Sequence, residues 1–175
     1  MKDEIAQSVP FLTWLIEWEA SLPSLSLADI EPETTAVISE DLIRGFCDVG
    51  PLSGPRAQGI VAQVVALFKS LHEAGVRHFL LMQDTHEEQA LEFEAFPPHC
   101  VAGSEESETI PELLALHFSE DFIVFEKNSI SSTMGTALLD WLEEHPEITT
   151  FVVVGVCTDI CVFELAMDLR MRANA

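Results

Sequence analysis

Four short β-prone runs in this chain are apolar without alternation, and each hands over to a polar residue at its end. Phe151-Val-Val-Val154 is apolar at every position, and Val76 to Met82 closes on Phe79-Leu-Leu-Met82 before Gln83-Asp84. Thr35-Ala-Val-Ile-Ser-Glu40 delivers Asp41, and Phe122-Ile-Val-Phe125 is followed by Lys127. A strand exposed on one face alternates apolar and polar residues. Continuous apolar runs instead belong to a parallel sheet covered on both faces. The runs are separated by helical stretches, and strand–helix repetition implies an α/β fold of three layers, α/β/α, around a central parallel sheet.

The helical stretches are marked by their punctuation. From Pro55 to Ala74 the residues Ile60, Val61, Val64, Val65, Leu67, Phe68 and Leu71 recur at helical spacing, and Gly75 stops the run. A short helix is expected from Pro111 to about Phe118, another from Met134 to Glu144, and a last one from Cys161 to the C-terminus. The polar segment Thr85 to Glu108, stiffened by Pro97-Pro98, reads as a long functional loop. At the other end, Val9 to Leu22 places Phe11, Leu12, Trp14, Leu15 and Trp18 on one helical stripe, with Pro10 suited to the first turn. Such a stripe is expected to pack against a core. Ser21 to Pro32 reads as a loop. The domain reading is therefore residues 1–34 as a helix and loop packed on the domain, and 35–175 as the domain itself.

The 175 residues suffice for one domain with a substantial core. Thirty acidic residues against eight basic ones give a formal charge of −22. That field repels phosphate backbones and anionic lipid, which argues against nucleic-acid and membrane partners. No apolar run reaches the roughly 18–20 residues that cross a bilayer, and Met1 to Val9 lacks the layout of a secretory signal. Four cysteines (Cys47, Cys100, Cys157 and Cys161) in a chain of this size suit free thiols in a reducing cytoplasm.

In open parallel sheets ligands bind beyond the carboxyl ends of the strands. Asp41, Asp84, Lys127 and the Cys157–Cys161 segment all follow predicted strands, so adjacent strands would bring them to one crevice. In Gly155-Val-Cys-Thr-Asp-Ile-Cys161 a strand turns into a helix that Thr158 or Asp159 could cap. Cys161 then falls in the first turn, where free N–H groups and the helix dipole favour a thiolate. Both cysteines could equally be small buried apolar residues. Asp41 could accept a proton and Lys127 could favour charge-separated states, although strand-end acids and lysines are commonly just solvated. Asp84-Thr-His86 can aim an oxygen and an imidazole nitrogen at one ion, and His99 could complete a set suited to zinc, iron or manganese.

On these motifs the chain resembles the nicotinamidases of the isochorismatase-like cysteine hydrolase family, from about Thr35 onward. Pro97-Pro-His-Cys-Val-Ala-Gly-Ser-Glu-Glu-Ser107 looks like their metal-histidine loop, and Val152-Val-Val-Gly-Val-Cys-Thr-Asp-Ile-Cys-Val162 like their nucleophile loop. Glu40-Asp-Leu-Ile-Arg-Gly-Phe-Cys47 looks like the segment carrying the catalytic acid and a substrate-contacting Phe. The resemblance implies a triad of Asp41 as base, Lys127 and the nucleophile Cys161. It implies metal ligands Asp84, His86 and His99 for a divalent ion, zinc first and iron or manganese as alternatives. It also implies a cis Val156–Cys157 peptide, an oxyanion hole from the N–H groups of Cys157 and Cys161, and substrate contacts at Phe46 and Val156.

The implied activity is hydrolysis of nicotinamide to nicotinate and ammonia through a cysteine thioester. Alternatives are another small amide or carbamoyl compound, isochorismate, or a non-catalytic module of the same fold. The small-molecule substrate is the implied partner, with self-association into a homo-oligomer. The chain departs from the family at Thr85, where many members carry Trp. Members usually continue past the last helix into another strand and helix, so the resemblance implies a chain lacking its C-terminal strand.

Overall fold

The computed structural model describes residues 2–173. The chain divides into two compact units, Met1–Ile30 and Glu31–Ala175. The first holds helix α1 (Lys2–Ala20) and a single 3₁₀ turn at Leu27–Asp29. The helix begins well before Val9, since Glu4, Ala6 and Gln7 are good helix formers, and it carries Pro10 in its interior instead of its first turn. Phe11, Trp14 and Trp18 touch in sequence along it, with ring centroids 5.8 and 6.3 Å apart. These rings are exposed, and every buried apolar residue among the described ones lies in the second unit.

The second unit is built on a four-stranded sheet in the order β3-β2-β1-β4. The strands are β1 (Thr35–Glu40), β2 (His78–Asp84), β3 (Ile123–Lys127) and β4 (Thr150–Gly155). All three pairings are parallel. A short helix α2 (Arg44–Cys47) follows β1, and α3 (Pro55–Ala74) crosses over to β2. Its bounds are those its sequence predicts: Pro55 occupies the first turn, and Gly75 closes the helix with φ of 111°.

Two helices are shorter than their apolar patterns suggest. The helix α4 covers only Pro111–Leu114. Beyond it the chain turns to place Phe118 in an aromatic cluster with Phe79 and Phe122, at 5.1 and 5.6 Å. The helix α5 starts at Leu138 and ends at Glu144. Gly135 has φ of 75°, which breaks the run from Met134. The Thr136 hydroxyl then accepts the N–H of Leu138, serving the orphan donors of the new helix start. The last helix, α6, runs Cys161–Arg172.

Alternate residues of the sheet face opposite layers. Ala36, Ile38, Leu80, Met82 and Phe125 pack with Leu138 and Trp141 of α5 and Leu165 and Leu169 of α6. On the other face Phe79 meets Phe68 of α3 at 5.1 Å. The inner strands β1 and β2 are buried almost throughout, as continuous apolar runs require. The outer strands depart from that pattern: β3 alternates with Val124 exposed, and β4 is half-buried along its length. Edge position, with a neighbour on one side only, accounts for both. No helix among the described residues is long and apolar enough to cross a membrane.

Phe68 is fully buried where the α3 layer meets the sheet. Phe68→Ala is expected to lower unfolding free energy by about 3–5 kcal/mol, and Val124→Ala by less than about 1 kcal/mol. Urea titrations of the two variants measure the contrast, and similar costs would contradict the layer assignment.

Candidate active site

Parallel register brings the strand ends to one level. Glu40 lies beside Met82 on one side and Gly155 on the other, and Asp84 beside Lys127. Lys127, Asp84, Asp41 and the Val156–Cys157 step therefore follow one another across the sheet. Gly155 is required at this crossing: a Cβ there would collide with the backbone of Glu40. The Val156–Cys157 peptide is cis, as the resemblance implies.

Asp41 sits just past β1 with φ of 53°, a left-handed conformation that Asp tolerates better than most residues. Its own N–H donates to Met82 O at 2.9 Å. Its Oδ1 accepts the N–H of Asp84 at 2.9 Å, and its Oδ2 accepts Lys127 Nζ, also at 2.9 Å. Lys127 Nζ donates in addition to Asp84 Oδ1. All three side chains are buried. Burial opposes the charge on Lys127, but the two carboxylates raise its pKa well above the ordinary lysine value. Burial pushes Asp41 up to about 6 against the pull of Lys127. Asp84 is driven the other way: burial would raise it, but the imidazoles of His86 and His99 and the Lys127 ammonium beside it favour its charged form more strongly.

Cys161 is the first residue of α6, and the residue before it is Ile160, so neither Thr158 nor Asp159 caps the helix. The thiol is buried, and burial followed by the charge of Asp41 raises its pKa, with Lys127 opposing. Burial thus opposes the thiolate that a helix N-terminus alone would favour. The N–H groups of Cys157 and Cys161 donate to no protein acceptor among the described residues. Cys47 and Cys100 are buried apart from this chemistry, and burial lifts the Cys47 thiol to about 11.

The second half of the site hangs on the other oxygen of Asp84. His86 Nε2 and His99 Nε2 lie 3.5 and 3.8 Å from Asp84 Oδ2, and Glu92 Oε1 is 3.9 Å from His99 Nε2. His99 Nδ1 is 2.8 Å from Pro97 O, and His86 Nδ1 is 3.2 Å from Asn128 Oδ1. Each Nδ1 that donates to its oxygen leaves Nε2 as a free lone pair, the way metal-ligating histidines are oriented. His86 Nε2 is buried with no hydrogen-bond partner. Two imidazoles and a carboxylate aimed at one point, one of them orphaned, fit a divalent metal, and Glu92 is within reach as a fourth donor.

A cavity of about 150 Å³ joins the two halves, lined by Phe46, Asp84, Glu92, His99, Cys157 and Cys161 among others. Val156 lines a wider adjoining space of about 550 Å³ with Phe46, Arg56 and Cys157. Every residue singled out by the sequence is thus brought to one region. Two were missed. Glu92 lies on a 3₁₀ turn inside the long loop, with only its acidity to mark it. Glu40, buried beneath the site and bonded by the Ser132 hydroxyl at 2.6 Å, reads in the sequence as an ordinary strand-end acid.

A parallel α/β domain with a lysine-paired acid, a buried cysteine and a histidine-rich ligand set at its strand ends is built like a cysteine hydrolase. Residues 35–173 match the isochorismatase domain, and the chain belongs to that family. It is 32% identical over 155 residues to nicotinamidase 1 of Arabidopsis thaliana, covering 81% of this chain and 62% of the plant protein. The chain therefore spans less than two thirds of that relative's length. Among solved structures, N-carbamoylsarcosine amidase of Thermoplasma acidophilum superposes with a TM-score of 0.70 at 27% identity, covering 79% of this chain and 77% of that one. Nicotinamidase of Bacillus subtilis gives 0.69 at 29%, covering 79% and 80%.

Two measurements probe the buried charges. Lys127→Ala leaves two carboxylates without their shared ammonium, and is expected to cost about 3–5 kcal/mol of folding stability, read by urea unfolding at pH 7. A cost below about 1 kcal/mol would mean that water reaches them. Glu40 is pushed well above the usual carboxylate range by burial and then by Asp41. Above the unfolded value of about 4.3 the unfolded chain releases a proton that the folded one keeps, so stability falls as pH rises to the folded value. Glu40→Gln removes that loss and is expected to be more stable relative to the parent at pH 8 than at pH 4. A constant difference across this range would contradict the assignment.

Proposed function

We propose that this domain hydrolyses nicotinamide to nicotinate and ammonia through a thioester on Cys161. The observation that carries the reading is the buried Asp41–Lys127 ion pair at 2.9 Å, beside a cysteine in a small cavity that also holds metal-type ligands. Lys127 keeps Asp41 ionised without acting as a nucleophile. Asp41 takes the thiol proton as Cys161 Sγ attacks the carboxamide carbon. The raised thiol pKa makes this proton transfer part of the attack. The N–H groups of Cys157 and Cys161, free of protein acceptors, would receive the oxyanion, and one such donor is typically worth about 3–4 kcal/mol. The proton on Asp41 leaves with ammonia, and water then cleaves the thioester to the acid and the restored thiol.

Phe46, edge-on to His99 with centroids 5.8 Å apart, would flank the substrate ring, and Val156 its carboxamide end. A divalent metal, zinc foremost, would be held by Asp84, His86 and His99 and would supply a Lewis-acid anchor for a ring nitrogen. The relatives named nicotinamidase support this substrate. The charge of −22 speaks against nucleic-acid and membrane partners, and the four free thiols suit a cytoplasmic enzyme. Self-association remains part of the reading through the family.

A second reading has its own observation. Arg56, with no ion-pair partner among the described residues, lines the wider space next to Cys157. It would suit a longer carbamoyl substrate bearing a carboxylate, in keeping with the amidase of Thermoplasma acidophilum. Ammonia release from nicotinamide and from a carbamoyl amino acid separates the two. Activity on nicotinamide is expected, abolished by Cys161→Ala in a folded protein and lost on metal removal by a chelator. Full activity in Cys161→Ala would sink the thioester mechanism.

A further inference from the structure

The opposite end of the sheet carries a second cluster of ligating side chains that the proposed reaction does not use. His78 and Asp84 are the two ends of a seven-residue strand, β2, which separates them by about 20 Å at ~3.3 Å per residue. His145 follows α5, and its N–H bonds Trp141 O at 3.0 Å. Ile148 N–H returns to His145 O, also at 3.0 Å, so the turn containing His145 and Glu147 is closed on both sides. That turn sets His145 Nδ1 and Glu147 Oε1 3.0 Å apart. The rings of His78 and His145 are 5.1 Å apart, and one ligand atom from each of the three residues lies within 4.8 Å of the others.

A tetrahedral ion with bonds of about 2.0–2.1 Å needs its ligand atoms about 3.4 Å apart. The adjustment is small for this set: the His145 and Glu147 side chains are 30% and 51% exposed, while His78 is held by its strand. The neighbouring Arg77 does not compete for the carboxylate. Its guanidinium is committed to the carbonyl oxygens of His72 and Val76, both at 2.8 Å. Two imidazoles with one carboxylate suit a borderline first-row ion better than calcium or magnesium, which prefer oxygen.

We propose that His78, His145 and Glu147 form a second metal site, taking a divalent zinc-like ion with water in the open position, separate from the Asp84, His86 and His99 set. Its effect is structural: it ties the turn between α5 and β4 to the start of β2, and ion binding to the folded form adds stability. The rival account of these rings is simple aromatic packing, since Trp141 lies 5.4 Å from His78 and 4.3 Å from His145. That indole also provides the readout.

Trp14→Phe and Trp18→Phe leave Trp141 as the single tryptophan of the three in the chain. This protein, stripped of metal, is titrated with Co²⁺ while indole emission and tightly bound cobalt are followed. Two equivalents are expected, one of them quenching Trp141. Adding His145→Ala or, separately, Glu147→Gln is expected to remove one equivalent and the quench, with ammonia release unchanged. His86→Ala is expected to remove the other equivalent and leave the quench. Fewer than two equivalents in the parent, or two with a full quench in both His145→Ala and Glu147→Gln, would overturn the site.

Discussion

Lys127 holds its charge between two carboxylates in a place that water does not reach, and much of the unit is arranged around that fact. An ammonium so placed survives only if opposite charge surrounds it closely, because the desolvation of each ion costs several kcal/mol. Asp41 and Asp84 supply that charge from two neighbouring strands, and the backbone N–H of Asp84 adds a hydrogen bond to Asp41. Strand order is what makes this possible. With β2 seated between β3 and β1, a lysine from one flank reaches the carboxylate of the centre, and an acid from the other accepts its backbone N–H.

Asp84 serves two systems at once. One oxygen faces Lys127 and the other faces His86 and His99, so the proton-handling pair and the ligand set share a single carboxylate. The division of labour between the acids follows from this sharing. Asp84 has two imidazoles beside it as well as Lys127 and is held low, whereas Asp41 keeps a pKa of about 6 and enough basicity to take a proton. The thiol of Cys161, raised by burial and then by the charge of Asp41, has need of that base.

The parts of this arrangement that local chemistry decides were legible in the sequence. β1 and α3 have the bounds expected from their apolar runs, from Pro55 and from Gly75, since each signal acts on its own few residues. The convergence of Asp41, Asp84, Lys127 and Cys161 was legible because parallel strands align their carboxyl ends. Tertiary demands decided the rest. Phe118 leaves its helix to join an aromatic cluster with Phe79, a residue of β2, and Glu92 reaches the histidines only through the path of its loop. The state of the Cys161 thiol was likewise a matter of surroundings: the helix start favours the anion, and burial, aided by the charge of Asp41, opposes it.

Aligned strand ends carry a further implication for how such a chain can vary. The links between strands run over the surface, where residues can be gained or lost at little cost to the core. Within β1, β2 or β3 no such freedom exists. One residue more in β2 would turn Asp84 to the opposite face of the sheet, away from Lys127, and carry both histidines out of position. Length in this architecture is therefore constrained unevenly: strands are rulers, and the segments between them are slack.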